Sequence, residues 1–168
     1  MRKVIFLDID GVLNTKYWYR QMDRNTPKDE YGYTFDPDSV ANLVKIIEKT
    51  GAEIVISSSW KDMGLSELRK MWKDRKLPGK IIDITPDYMD DELLLNADLN
   101  DADLDHLDIR GYEINGWLTL HGKDVSHYVI IDDMDDILRE QRSHFIQTDP
   151  EVGITKDDVE KAISLLNS

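Results

Sequence analysis

Short runs of β-branched residues alternate along this chain with segments in which apolar residues recur at helical spacing. Such alternation is typical of a layered α/β domain with a mainly parallel sheet. Two of the runs, VIFLD and YVIID, are almost continuously apolar, which favours strands that are covered on both faces. We predict five strands, at residues 4–8, 53–57, 80–84, 128–132 and 144–148.

Helices are predicted in the connections between these strands. The apolar stripe over residues 40–47 has helical spacing, with Asp36 and Pro37 as N-cap and first turn and Gly51 as its end. Thr155 is the predicted N-cap of the last helix. Further helices are predicted over 65–76, 114–121 and 159–166.

Two segments follow neither the strand period nor the helix period. Residues 15–35 are polar and aromatic, which predicts a flap or loop between the first strand and its helix. Residues 87–108 hold many acidic residues and no Lys or Arg, which predicts an acidic insertion with a solvated face. Both segments are too short for a separate lid, so we expect one domain over residues 1–168.

Composition excludes several classes of protein. The chain has no Cys, which excludes disulfide scaffolds and cysteine nucleophiles and fits a reducing compartment, so a cytoplasmic location is expected. No run approaches the roughly 18 apolar residues of a membrane span. The net charge of −13 repels polyanions, so no stable nucleic-acid complex is expected.

The stretch FLDIDGVLN carries the clearest chemical signal. Asp8 and Asp10 lie at the carboxyl end of a predicted parallel strand, where open α/β sheets bind ligands. The two-residue period of the strand points both carboxylates the same way, and Gly11 then lets the backbone turn away. Two carboxylates at one strand end repel each other. A divalent cation is the natural compensation, and hard oxygen ligands favour Mg²⁺.

Other predicted strands end in polar residues at the same edge. The second strand is followed by Ser57, Ser58 and Ser59, whose hydroxyls can hydrogen-bond to phosphate oxygens. The fourth strand ends in Asp132 and Asp133, which add acidic side chains. Together these side chains favour a phosphate site over a simple Asp-Gly turn.

A cationic residue completes the pattern. Arg110, next to Gly111, opens the helix before the fourth strand and could reach an anionic substrate with charge-assisted hydrogen bonds. The stretches FLDIDGVLN, IVISSSWK, RGYEINGWL and YVIIDD then resemble, in order, the four motifs of haloacid dehalogenase (HAD) superfamily hydrolases. More narrowly, the set is similar to the phosphatase-like domain of Swiss Army Knife RNA-repair proteins.

The resemblance implies a three-layer, doubly wound, Rossmann-like fold with a minimal cap, and a Mg²⁺-dependent phosphatase. It implies that Asp8 attacks phosphorus and forms an aspartyl-phosphate, and that Asp10 acts as general acid and then as general base. Mg²⁺ would be held by the Asp8 carboxylate, the Asp10 carbonyl and Asp133, with Asp132 in support. Ser57 and Arg110 would bind the phosphoryl oxygens.

Some assignments stay open at this level. Ser58 could replace Ser57 if the strand ends one residue later, and Lys61 or Lys123 could take the place of Arg110. The expected partner is a phosphorylated small molecule, a nucleotide or a nucleic-acid end. A non-catalytic binding module and a phosphotransferase or phosphomutase are the alternatives. Extra phosphates are expected at the basic residues of the flap, Lys16, Arg20, Arg24 and Lys28.

Overall fold

A computed structural model describes residues 1–87 and 109–168, and its centre is a five-stranded parallel sheet. The strand order is β3-β2-β1-β4-β5, and every neighbouring pair is parallel. All five predicted strands are confirmed, with ends that differ by a few residues. Their bounds are Arg2–Leu7 (β1), Glu53–Ile56 (β2), Ile81–Ile84 (β3), Val125–Asp132 (β4) and Phe145–Gln147 (β5).

The predicted helices are present in the connections. α2 begins and ends where the sequence indicates: the Asp36 side chain accepts a hydrogen bond from the Asp38 N–H, and Gly51 closes the helix in the left-handed conformation. Thr155 caps the last helix through a capping box with Asp158. The helices are Lys16–Gln21 (α1), Pro37–Thr50 (α2), Leu65–Asp74 (α3), Ile109–His121 (α4) and Lys156–Asn167 (α5).

The sheet is covered on both faces, so the fold has three layers. Successive residues of β1 point alternately to the two faces: Ile5 and Leu7 join the larger apolar cluster, which includes Leu43 of α2, Leu68 of α3 and Val159 of α5. On the other face, α4 packs its apolar side against the sheet. Phe6 makes edge-on ring contacts there with Trp117 and Tyr128.

The register of the three central strands brings their carboxyl ends to the same height, where they form a level edge of the sheet. Leu7 of β1 is aligned with Ile56 of β2 and with Ile131 of β4. The residues that follow, Asp8 and Ser57, continue the ladder, because the Asp8 N–H donates to the Ile131 carbonyl at 3.0 Å and the Ser57 N–H donates to the Leu7 carbonyl at 2.9 Å. The chain reverses its direction of winding between β1 and β4, which is where such sheets bind ligands.

Residues 15–35, predicted as a flap or loop, include one regular element that the sequence did not indicate. This element is the short helix α1, which Thr15 caps by accepting a hydrogen bond from the Trp18 N–H. Six residues are too few for an apolar stripe to reveal a helix, and none of them is buried. The acidic insertion predicted at 87–108 lies outside the described residues, apart from Asp87.

The flap is attached to the body at both ends. At its start, the Lys16 N–H donates to the Pro150 carbonyl at 2.9 Å, and Arg20 forms an ion pair with Glu151. Near its end, Arg75 of the segment after α3 binds both carboxylate oxygens of Asp29 at 2.7 Å. These contacts hold the flap beside the level edge of the sheet. None of the helices within 1–87 and 109–168 has the length and apolar character needed to cross a bilayer.

Candidate active site

A cleft of about 700 Å³ opens at the carboxyl edge of the sheet, between the strand ends and the flap. Its walls come from the loop after β1, the flap, the start of α4 and the loops after β4 and β5. Most sequence-predicted site residues lie on it or directly beneath it. The lining residues are Asp8, Asp10, Gly11, Asn14, Thr15, Lys16, Tyr19, Arg20, Ser59, Arg110, Asp133, Met134 and Pro150.

Three carboxylates meet at the base of this cleft. Asp8, Asp132 and Asp133 each place an oxygen so that all three oxygens lie within 4.8 Å of one another. Asp132 is 1% exposed and Asp8 is 6% exposed. Gly11 makes room for the third carboxylate, because a Cβ on this residue would lie 2.5 Å from the Asp133 carboxylate carbon, and its φ of +78° also favours glycine.

Burial and mutual repulsion raise the pKa of two of these groups. Loss of hydration raises the pKa of Asp8 to about 6, although Arg110 and a hydrogen bond with Ser58 act in the opposite direction. Burial and the charge of Asp8 raise the pKa of Asp132 to about 8. Full ionisation of Asp132 at neutral pH therefore needs more positive charge nearby than Arg110 supplies.

The donor set fits Mg²⁺. Carboxylate oxygens are the ligands that this hard cation prefers, and three of them converge from the ends of two adjacent strands. A divalent cation would also offset the repulsion that raises the two pKa values. Asp8, Asp132 and Asp133 are thus the side chains suited to hold it. The sequence-based expectation assigned Asp132 only a supporting role, and Mg²⁺ binding by these residues stays a prediction.

Asp10 lines the cleft, but among the described residues its carboxylate does not belong to the cluster of Asp8, Asp132 and Asp133. One of its oxygens accepts a hydrogen bond from the Trp60 indole N–H at 3.0 Å, and the other accepts one from the Asn14 side-chain amide at 3.1 Å. β1 ends at Leu7, so the two-residue alternation of a strand does not extend to Asp10. Its backbone carbonyl as a ligand stays a prediction.

The three serines after β2 have different surroundings. Ser57 and Ser58 are buried, and the Ser57 hydroxyl oxygen has no hydrogen-bond partner among the described residues. The Ser58 hydroxyl hydrogen-bonds with Asp8, and its oxygen accepts the Trp60 backbone N–H at 3.4 Å. Ser59 is the serine that lines the cleft, whereas the resemblance assigned the phosphate contact to Ser57 or Ser58. A buried hydroxyl without a partner is suited to an anion that enters from the cleft.

Arg110 is the cationic side chain at the base of the cleft. Its Nε lies 3.1 Å from an Asp132 oxygen, and one terminal nitrogen lies 4.0 Å from an Asp8 oxygen. Lys61 is instead buried in ion pairs with Glu113 at 2.8 Å and Asp87 at 2.9 Å. Lys123 lies in an exposed turn before β4, at the opposite edge of the sheet. The geometry thus favours Arg110 over both lysines for binding an anion.

The first turn of α4 is fixed in place by a buried amide. The Gln141 side chain donates to the Gly111 carbonyl at 2.8 Å and accepts the Leu138 N–H at 3.0 Å. Gly111 allows this close approach, because a Cβ would lie 2.4 Å from the Leu138 nitrogen. Arg110 is thereby held opposite Asp132. The Arg110-Gly111 pair of the sequence indicated this turn, but nothing in the sequence indicated Gln141.

The flap contributes fewer cations to the cleft than the sequence suggested. Lys16 and Arg20 line it, together with the half-exposed ring of Tyr19. Arg24 and Lys28 are not among the lining residues, and the Lys28 ammonium instead lies 4.3 Å from the centre of the Tyr33 ring. α1 accounts for this difference, since it presents Lys16, Tyr19 and Arg20 on neighbouring turns.

We predict that Mg²⁺ stabilises the protein more at pH 8 than at pH 5. Protons and the cation compete for the same oxygens, and the pKa values of about 6 and about 8 put this competition in that range. In EDTA the protein should instead lose stability between pH 5 and pH 8. The raised pKa values mean that protonation of Asp8 and Asp132 stabilises the folded chain, and this contribution to the free energy of unfolding is lost as pH rises through about 6 and about 8. Thermal unfolding with Mg²⁺ or EDTA at both pH values measures the effect.

Two matched variants locate the cation. Asp133→Asn removes one of the three carboxylates and should lose most of the Mg²⁺-dependent rise in Tm. Asp135→Asn changes an exposed acid two residues further on and should keep it. An equal response in both variants, or a rise in Tm that does not depend on pH, would mean that the cation binds elsewhere.

Comparison with known proteins agrees with this architecture. A family profile described as the HAD domain in Swiss Army Knife RNA repair proteins matches residues 4–159. A search of curated proteins finds no significant match. The profile covers β1 from Val4 onward, the other four strands and the whole cleft, from Asp8 to Pro150. The chain belongs to the family of HAD domains that occur in Swiss Army Knife RNA repair proteins.

Proposed function

We propose that this HAD-type hydrolase is a Mg²⁺-dependent phosphomonoester hydrolase that acts through an aspartyl-phosphate on Asp8. The observation that carries the proposal is the base of the cleft. There the Asp8 carboxylate, 6% exposed, lies within 4.8 Å of two further carboxylates and 4.0 Å from the Arg110 guanidinium. A nucleophile, an anion-binding group and a cation-binding set thus share one opening.

The proposed reaction has two steps. First, an Asp8 oxygen attacks phosphorus while the bond to the leaving oxygen breaks, and Asp10 gives that oxygen a proton. Second, Asp10 takes a proton from water, which attacks phosphorus and releases phosphate from Asp8. Together the two steps return the protein to its starting state, with Asp8 free and Asp10 protonated.

Side chains around Asp8 bind the phosphoryl oxygens in this proposal. Arg110 supplies N–H donors from the lining of the cleft. The Ser57 hydroxyl, which is buried and lacks a partner among the described residues, would turn toward the anion. Mg²⁺ bound by Asp8, Asp132 and Asp133 would neutralise negative charge on the transferring group. Low exposure at the base of the cleft strengthens these interactions.

The rest of the cleft favours a nucleotide or a polynucleotide end as substrate. Beyond Asp8, the walls carry the Lys16 and Arg20 cations and the Tyr19 ring, which suit an additional phosphate and a planar base. The family occurs in RNA repair proteins, which supports the same class. The net charge of −13 favours short contacts over a long nucleic-acid track. A single domain and a cytoplasmic location stay predictions.

Phosphatase assays with and without Mg²⁺ test the proposal. We predict turnover of an aryl phosphate that EDTA abolishes and that Asp8→Asn reduces by at least about a thousandfold, because the nucleophile is lost. Asp135→Asn is the control for a change of charge at an exposed site. Mg²⁺ binding without turnover on any substrate would instead support a binding module with the same fold. Transfer of phosphate to an added alcohol in preference to water would support a phosphotransferase.

A second prediction concerns substrate choice. Replacing both Lys16 and Arg20 with Ala should lower kcat/KM about threefold to tenfold for a phosphorylated oligonucleotide, since two charge-assisted contacts are lost. An aryl phosphate, which does not reach these cations, should be affected less. Arg24→Ala removes a flap cation that does not line the cleft and serves as the matched control. Equal losses on both substrates would exclude Lys16 and Arg20 from substrate recognition.

A further inference from the structure

Trp60 connects the loop after β2 to the loop after β1. It lies in the short 3-10 helix Ser59–Met63, and its ring packs edge-on against Phe35 with the ring centres 5.5 Å apart. From that position its indole N–H donates to one Asp10 oxygen at 3.0 Å. The indole is thus anchored by packing on one side and directs its single donor to the rim of the cleft.

The second oxygen of Asp10 is held from a different direction. The Asn14 amide donates to it at 3.1 Å. Asn14 is itself fixed by the tight turn after β1, in which its carbonyl accepts the Gly11 N–H at 2.9 Å and its N–H donates to the Ile9 carbonyl at 3.0 Å. Asp10 is an exposed residue, and an exposed side chain of this length would otherwise sample several rotamers.

Orientation has chemical consequences for a carboxylate in this place. Asp8, Asp132 and Asp133 already crowd the base of the cleft, so a fourth carboxylate turned inward would add repulsion and compete for the cation. A carboxylate turned freely outward would not meet the leaving oxygen. The two donors hold Asp10 between these extremes, on the cleft wall and outside the cluster.

We propose that Trp60 is a positioning residue, which orients Asp10 for proton transfer to the leaving oxygen through its indole N–H. This inference rests on the proposed function. Trp60 does not donate a proton to substrate; it fixes the group that does. Loss of the indole N–H should therefore slow the reaction more for a leaving group that needs a proton than for one that leaves without it.

Leaving groups of different basicity give the readout. The kcat/KM value reports the step in which the bond to the leaving oxygen breaks. An alkoxide needs protonation to leave, whereas 4-nitrophenolate leaves without it. Trp60→Phe keeps an aromatic ring against Phe35 and removes the N–H. It should lower kcat/KM about tenfold to a hundredfold for an alkyl phosphate and less than about threefold for 4-nitrophenyl phosphate, since positioned proton transfer contributes about 10²–10⁴ in rate.

Trp72→Phe is the matched control. Its indole N–H also makes a hydrogen bond, to the Pro78 carbonyl at 2.8 Å. Trp72 is a buried residue of α3, however, and it does not line the cleft. This variant should affect both substrates alike. Equal losses on both substrates in Trp60→Phe, or no loss, would overturn the positioning role.

A measurement without turnover separates this inference from the proposed function. In ¹⁵N-labelled protein, Asp10→Ala should shift the Trp60 indole N–H resonance and speed its exchange with solvent, while the Trp72 resonance stays unchanged. An unchanged Trp60 resonance would overturn the inference even in an active enzyme. Inactive wild-type protein would contradict the proposed function alone, and the indole resonance would still decide whether Trp60 holds Asp10.

Discussion

Electrostatic repulsion among Asp8, Asp132 and Asp133 is the constraint on which the site depends. The parallel register brings the ends of β1 and β4 side by side, so these carboxylates lie within 4.8 Å of one another, and Asp8 and Asp132 have little access to water. Such an arrangement costs stability unless positive charge or donated hydrogen bonds compensate it. Arg110 supplies part of this compensation, and the proposed cation would supply the rest.

Arg110 supplies positive charge beside Asp8 and Asp132. It reaches Asp132 and Asp8 because the first turn of α4 is anchored to the loop after β4 through Gly111 and Gln141. Glu113, one turn along α4, lies 3.9 Å from Arg110 on one side and 2.8 Å from Lys61 on the other. Buried charges therefore alternate from the base of the cleft to the loop after β2, which limits the net charge at any one point.

The level edge of the sheet was predictable from the sequence, because it follows from local patterns. Apolar runs that end in Asp8, Ser57 and Asp132 specify both the strands and the polar residues at their ends. The caps at Asp36 and Thr155 likewise act within one turn of the chain. These features need only short-range physics, and the described structure contains all of them.

Contacts between distant segments were not predictable in the same way. The sequence placed Asp10 beside Asp8 by strand alternation, yet β1 ends earlier and Trp60, fifty residues away, turns the carboxylate aside. Gln141 owes its place beside Gly111 to packing between distant segments. Lys61 was an alternative to Arg110 for anion binding, and its burial against Glu113 removes it from that role. In each case the decisive partner comes from another element, so no local period reveals it.

Trapping of a phosphorylated protein tests the central claim most directly. Asp10→Asn keeps the nucleophile but lacks the base for the second step. With 4-nitrophenyl phosphate, whose leaving group needs no proton in the first step, rapid acid quenching during turnover should capture a covalent intermediate. The account predicts that peptide mass spectrometry finds one phosphoryl group on Asp8, and that alkali removes it as it does any acyl phosphate. A phosphoryl group on another residue, or turnover without any phosphorylated protein, would contradict the assignment of Asp8 as nucleophile.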